Sequence, residues 1–158
     1  MSVANRKAWR AQIASELAAV LAGAGKPAQA LYAGQVADFD GLYPVVVVSS
    51  GGSDRLGDNG SAQFAGLYLN VDVFVRYSDK ANNWDELKSE DALDDIEQIV
   101  AEWVQANGNR PPVAGSSIAW TNLAYVGRTD AERPPALIGG QEYRWERISL
   151  RVDIQGAI

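Results

Sequence analysis

The sequence predicts an α+β fold, in which one mainly antiparallel β-sheet carries two helices packed on one face, in the order α-β-β-α-β-β. Two stretches with helical spacing of apolar residues each precede a pair of strand-like stretches. Each strand pair is joined by a long polar segment, which predicts two long hairpin tips. The 158 residues fit a single domain, 1–158.

The first predicted helix runs from residue 4 to residue 22. The glycine- and proline-containing run at 23–27 ends it, because glycine permits the left-handed end and proline blocks re-entry. Apolar residues recur at steps of three and four along this helix and share one face, namely Trp9, Ile13, Leu17, Val20 and Leu21.

The first strand pair is predicted at 42–48 and 64–77. The earlier strand is β-branched and apolar at nearly every position, so we expect it to be covered on both faces. The later strand alternates, with its odd-numbered residues from Leu69 to Tyr77 on the core side. Residues 30–39 are consistent with either a short strand or an irregular connector.

The second predicted helix runs from residue 85 to residue 106, and Asn107-Gly108 ends it. Acidic residues crowd its first half, where they complement the helix dipole. Its apolar stripe consists of Ala92, Leu93, Ile96, Ile99, Val100, Trp103 and Val104. The last strand pair is predicted at 118–126 and 142–155, with Trp120 and Trp145 able to face each other across it.

The predicted tips, 49–63 and 127–141, are much longer than the two to five residues that most hairpin connections need. We expect them to contact partner molecules, the first as a mobile arm. The second either docks through exposed apolar residues or folds back onto the domain. Candidate interface residues are Asp54, Arg55, Leu56 and Asp58 in the first tip, Arg128, Asp130, Glu132, Arg133, Leu137 and Ile138 in the second, and Trp145, packed under arginine stems at a subunit boundary.

Composition excludes several classes of function. The chain contains neither cysteine nor histidine, which removes disulfides, thiolate and Ser-His-Asp catalysis, and the usual zinc sites. A net charge of -6 is unlike that of a protein gripping DNA by its phosphates. No apolar run reaches membrane-helix length, and the first residues are unlike a secretory signal, so we expect no membrane association.

The acidic run at 89–97 raises the question of carboxylate chemistry. Asp91 and Asp95 are four residues apart and share a helix face. A small ligand-binding or hydrolytic α+β domain using Asp91, Asp94 or Asp95 therefore stays an alternative, although a solvated acidic face is the simpler interpretation. The glycine-rich segment 51–60 lacks the acid spacing of a calcium loop. We expect that the protein is not an enzyme and that it has no cofactor and no catalytic or metal-binding residue.

From residue 4 to residue 155 the chain resembles the tail terminator, or tail completion, proteins of long-tailed bacteriophages (the gpU-like minor tail proteins). The similarity lies in size, acidity, absence of cysteine and element order. The segments that carry it are RKAWRAQIASELAAVL, the PVVVV strand with its glycine-rich tip, LYLNVDVFVRYSD, DELKSEDALDDIEQIVAEWV and RWERISLRVDI.

The resemblance implies a virion protein at the tail–neck junction, assembled in the host cytoplasm. Such a protein forms a homo-hexameric ring that caps the tail tube, stops its polymerisation and joins it to the head-completion or neck protein. DNA passes through the ring without specific binding, and an acidic lumen suits that passage because it repels phosphates. A related head–tail adaptor, neck or baseplate ring protein is the alternative within the same class.

Overall fold

The fold is α+β, with a mixed, mostly antiparallel sheet. The computed structural model describes residues 6–58, 62–112, 118–129 and 134–157, and gives only the backbone at 53–58, 62–65 and 155–157. These residues form helices α1 (Arg6–Leu21) and α2 (Glu86–Ala106), and strands β1 (Ala30–Tyr32), β2 (Val45–Asp58), β3 (Ala62–Val75), β4 (Thr121–Arg128), β5 (Ala136–Ile138) and β6 (Gln141–Ala157).

The strands lie in the order β1-β2-β3-β6-β4, and β5 pairs with the start of β6. β1 runs parallel to β2, whereas every other pairing is antiparallel. The element order therefore contains two short strands, β1 and β5, beyond the predicted α-β-β-α-β-β. β1 is the short strand that was one alternative for residues 30–39. β5 is three residues long, which is too short for a periodic pattern to appear in the sequence.

Both helices contribute to one apolar cluster on one side of the sheet. α1 packs against β1 and β2, and α2 packs against β3 and β4. α2 begins where the carboxylate of Asp85 accepts a hydrogen bond from the backbone N–H of Lys88, at 2.9 Å. The sheet supplies alternate residues of β2, β3 and β6 to this cluster, among them Val46, Val48, Leu69, Val71, Ile148 and Leu150.

A second, aromatic cluster covers part of the opposite side of the sheet. Phe39 lies at its centre, with its ring 5.1 Å from Phe74 and 5.2 Å from Tyr143, both edge-on. Val45 and Val47 of β2 belong to this cluster, whereas Val46 and Val48 belong to the helix side. The first strand is thus covered on both faces, as its all-apolar sequence predicts.

The prediction of a long hairpin loop at 49–63 is wrong for the residues that the structure describes, and its mobility stays a prediction. β2 continues to Asp58 and β3 begins at Ala62, and their pairing runs from Val45↔Phe74 to Asp58↔Gln63. Polar residues form strand here because β3 pairs with β2 on one side and β6 on the other, which satisfies its backbone groups. Residues 59–61 lie outside the described part of the chain.

The second predicted tip is also shorter than the 15 residues of 127–141. β5 and β6 form a tight hairpin whose connection is Gly139-Gly140. Both glycines have positive φ, 57° and 77°, as a two-residue hairpin turn of type I′ requires. The Gly-Gly signal was in the sequence, but the prediction placed it inside a longer loop.

Neither described helix is long and apolar enough to cross a membrane.

Candidate assembly surfaces

Arg128, one of the predicted partner contacts, holds an ion cluster within its own subunit. Its guanidinium contacts Asp94 at 2.9 Å, and it also pairs with Glu97 and Glu146. The cluster ties β4 to α2 and β6. The sequence does not reveal this arrangement, because the partners lie 18 to 34 residues away along the chain.

Arg144 extends this cluster along the sheet. It pairs with Glu90 of α2 and lies 3.9 Å from a carboxylate oxygen of Glu146, which is only 3% exposed. Four carboxylates therefore share two guanidiniums where α2 meets the sheet. We name this group the β4-edge cluster; it comprises Glu90, Asp94, Glu97, Arg128, Arg144 and Glu146.

The charges of this cluster shift the pKa values of Arg128 and Tyr125. Burial lowers the pKa of Arg128, but its hydrogen bonds to Glu146, Glu97 and Asp94 outweigh that effect and hold the pKa above its ordinary value. Burial raises the pKa of Tyr125, and the negative charge of Glu97 raises it further. Arg128 therefore stays charged, and Tyr125 stays neutral, at physiological pH.

The negative charge of the chain is concentrated on one element. α2 carries seven acidic residues and one basic residue, so its net charge of -6 equals that of the whole chain. Asp91 and Asp95 are exposed on this helix. Among the described residues no group of three or more potential ligands is arranged to hold a metal ion.

The start of α1 presents positive charge next to β2. A guanidinium nitrogen of Arg6 donates to the backbone carbonyl of Gly51 at 2.9 Å, and one of Arg10 donates to the hydroxyl of Ser50 at 3.0 Å. Among the side chains that the structure describes, no carboxylate lies within ion-pair distance of either arginine. Sequence analysis did not select either residue.

Trp145 packs on the side of the sheet away from the helices. Its ring stacks on Phe74 at 5.8 Å, and the guanidinium of Arg147 lies 5.4 Å above it, as the expectation of packing under an arginine stem describes. Trp120 lies instead in the helix-side cluster, 6.4 Å from Trp103. The two tryptophans therefore do not face each other, because they lie on opposite sides of the sheet.

The second tip was expected either to dock through exposed apolar residues or to fold back onto the domain. Each expectation describes one of its two apolar residues. Ile138 folds back and packs against the aromatic cluster, whereas Leu137 is 74% exposed. Leu137 is thus available for contact. Asp130, Glu132 and Arg133 lie outside the described residues, and for Asp54, Arg55, Leu56 and Asp58 the structure describes only the backbone, within β2.

Two surface clefts lie away from the acidic run. One, of about 400 Å³, is lined in part by Trp120, Pro111 and Arg110, whose guanidinium lies 5.1 Å above the Trp120 ring. The other, of about 480 Å³, lies at Tyr43 and Trp84. None of the acidic candidates Asp91, Asp94 and Asp95 is among the described residues that line either cleft.

No protein-family model matches the chain, and no curated protein matches its sequence.

Proposed function

We propose that this protein is a structural subunit of a bacteriophage tail, a terminator that forms a ring, caps the tail tube and joins it to the neck. The observation that carries the proposal is the length of the strands. β2 and β3 are 14 residues long and β6 is 17, whereas strands usually have 3–10 residues. A strand of 14 residues spans about 46 Å, roughly twice the length of the 16-residue α1.

β2 extends past its own apolar residues, whereas β3 and β6 contribute core residues as far as Leu67 and Ile154. Among the β2 side chains that the structure describes, those of residues 45–48 belong to the apolar clusters, and the strand continues for ten further residues paired with β3. An arm of three strands resists bending better than a loop does, and it can reach a neighbouring subunit or the last ring of the tube. We therefore assign to the first hairpin tip a contact with a neighbouring subunit or with the last ring of the tube.

The second tip supplies a separate contact in this proposal. Leu137 is held at a defined position by the neighbouring Gly139-Gly140 turn and by the burial of Ile138. An exposed leucine on a fixed hairpin suits docking to a neck or head-completion protein. The acidic α2, placed toward the lumen or its entrance, repels DNA phosphates and lets DNA slide without specific binding.

Two alternatives remain. A head–tail adaptor, neck or baseplate ring has the same requirements for arms and heterologous contacts, and differs in its position along the virion. A ligand-binding domain gains some support from the cleft at Trp120, where an aromatic ring and a guanidinium offer stacking and charge. Titration of the isolated protein with aromatic carboxylates, followed by tryptophan fluorescence with Trp120→Phe as the control for the other four tryptophans, tests the second alternative.

Polymerisation of the tail tube tests the proposal itself. Tube protein from the same virus is assembled with and without this chain, and tube lengths are measured by electron microscopy. We expect the chain to appear as a ring at one tube end and to stop elongation there. Unchanged tube lengths and unoccupied ends would contradict the proposal.

A matched pair of variants separates capping from neck docking. Leu137→Lys should keep capping but lose attachment to the neck protein. Leu87→Lys is the control, because Leu87 is similarly exposed, at 68%, but lies on α2. Equal attachment by the two variants would contradict the role of Leu137.

A further inference from the structure

The two edges of the sheet both present unpaired strand backbone among the described residues, and they differ in charge. β4 forms one edge, with α2 packed beside it. β1 and β2 form the other edge, with α1 packed beside them. A contact between two copies that joins unlike edges would therefore bring α2 of one copy toward α1 of the next.

The β4 edge offers unpaired backbone groups. Among the described residues no strand pairs with β4 on the side away from β6. The backbone N–H of Leu123 is used, since it donates to Gly108 at 2.9 Å. Past it, Tyr125 and Val126 are 36% and 56% exposed, and no charged residue follows before Arg128. Exposed edges usually carry lysine or proline as protection, and this one carries neither.

The opposite edge is also open over most of its length. β1 pairs with β2 only at Val45, Val46 and Val47. From Val48 to Asp58 no strand within the described ranges covers that side of β2. Arg6 reaches this stretch from α1 through its hydrogen bond to Gly51.

The charges beside the two edges are complementary. The β4-edge cluster holds four carboxylates against two guanidiniums, which leaves an excess of negative charge. Arg6 and Arg10, beside the β2 edge, have hydrogen-bond partners, and no carboxylate whose side chain the structure describes pairs with them. Opposite charges on the two edges steer unlike edges together and like edges apart.

We propose that copies of this chain join head to tail, with β4 of one copy lying along the distal half of β2 of the next. The acidic side of α2 then faces the start of α1 of that neighbour. Main-chain hydrogen bonds between edge strands supply affinity, and the charge pairing supplies direction. Because the two patches differ, the contact is heterologous and closes into a ring when the rotation allows. This inference rests on the proposed ring function and assigns its subunit interface.

Engineered cysteines test the interface without background, because the chain contains none. Val126→Cys on β4 is combined in turn with Ser49→Cys and with Gly52→Cys on β2, which samples the register. Within one subunit β4 and β2 are separated by β6 and β3, roughly 14 Å, which is too far for a disulfide. Disulfides in the double variants therefore report contacts between copies.

The expected result is a ladder of cross-linked species, up to the ring, in at least one double variant and in none of the three single variants. Dimers of Val126→Cys alone would overturn the proposal, because they require like edges to meet. A ring that forms in reducing buffer but cross-links in no double variant would overturn this interface and leave the ring function standing. The absence of both ring and cross-links at every protein concentration would overturn both.

Charge substitution provides a second, independent test. Arg6→Glu should weaken subunit association several-fold at low salt, and the association of the unmodified chain should weaken as salt rises. Lys26→Glu is the matched control, since it makes the same charge change on an exposed residue away from the start of α1. Equal effects of the two substitutions would overturn the charge pairing.

Discussion

At the scale of single residues, Arg128 holds together a group of ion pairs among the described residues. It pairs with three carboxylates from α2 and β6, one of which, Glu146, is almost fully buried. A buried carboxylate is tolerable only while its partner is present. The stability of the β4 edge therefore depends strongly on this one guanidinium.

Removal of Arg128 should be costly. We expect Arg128→Met to lower the free energy of unfolding by about 3–5 kcal/mol, because it leaves Glu146 buried without its closest partner. Asp94→Asn is the control, and should cost less than about 1 kcal/mol, since Asp94 is 62% exposed. Urea unfolding measures both changes. Similar losses in the two variants would show that the buried pair is not the main contribution.

Asp79 predicts a pH dependence at the residue scale. Its carboxylate accepts hydrogen bonds from Asn82 at 2.7 Å and from the Tyr43 hydroxyl at 2.8 Å, and these bonds lower its pKa below the ordinary value. A lowered folded-state pKa means that the stabilisation is present above the ordinary pKa, 3.8. It is lost as pH falls through the folded-state pKa.

Substitution of either donor should move this titration. We expect Asn82→Ala to raise the pKa of Asp79 more than Tyr43→Phe does, because the Asn82 hydrogen bond makes the larger contribution. Carboxyl chemical shifts followed by NMR between pH 2 and pH 6 measure the two values. An unchanged pKa in both variants would contradict the assignment of these donors.

At the scale of elements, the Gly139-Gly140 turn fixes the β5–β6 hairpin. Both residues have positive φ, which costs other residues about 1–2 kcal/mol. A side chain at Gly139 would in addition collide with the carboxylate of Asp38, whereas the space at Gly140 is open. We therefore expect Gly139→Ala to be more destabilising than Gly140→Ala in thermal unfolding. The reverse order would show that this contact does not limit the turn.

The elements also show what the sequence could predict. Helical periodicity located both ends of α2 and the last residue of α1 to within one residue, because the apolar stripes that contain Ile96 and Ile13 fit only a helix. The predicted start of α1, residue 4, lies outside the described residues. The all-apolar run at 45–48 predicted cover on both faces. The polar half of β2 was missed, since its strand conformation depends on backbone pairing with β3 rather than on its own side chains.

The contacts of the candidate site residues were less predictable, because they too depend on parts of the chain that are distant in sequence. Arg128 was selected as a partner contact, but its nearest charges come from Asp94, Glu97 and Glu146, which only the fold brings together. Leu137 is exposed as one interpretation required, and Ile138 is packed as the other required. Local sequence identifies such residues as polar or apolar, but it does not give their neighbours.

At the scale of the whole molecule, the charge distribution follows the element order. α2 carries the entire net charge, and it lies beside β4, whereas the basic start of α1 lies beside β2. A subunit with opposite charge at opposite edges associates in one direction only. This property suits a ring of identical subunits. It predicts that the mass of the protein in solution rises to that of a closed ring.

The mass of the purified protein as a function of concentration tests the central claim, that this chain is a ring-forming structural subunit. Light scattering or native mass spectrometry should show a transition from the 17.0 kDa chain to a closed species of about 102 kDa, six times that mass. Addition of tail tube should shift the transition to lower concentration, by mass action. The account would be contradicted if the protein stayed at 17.0 kDa at every concentration and formed no ring when tubes were added.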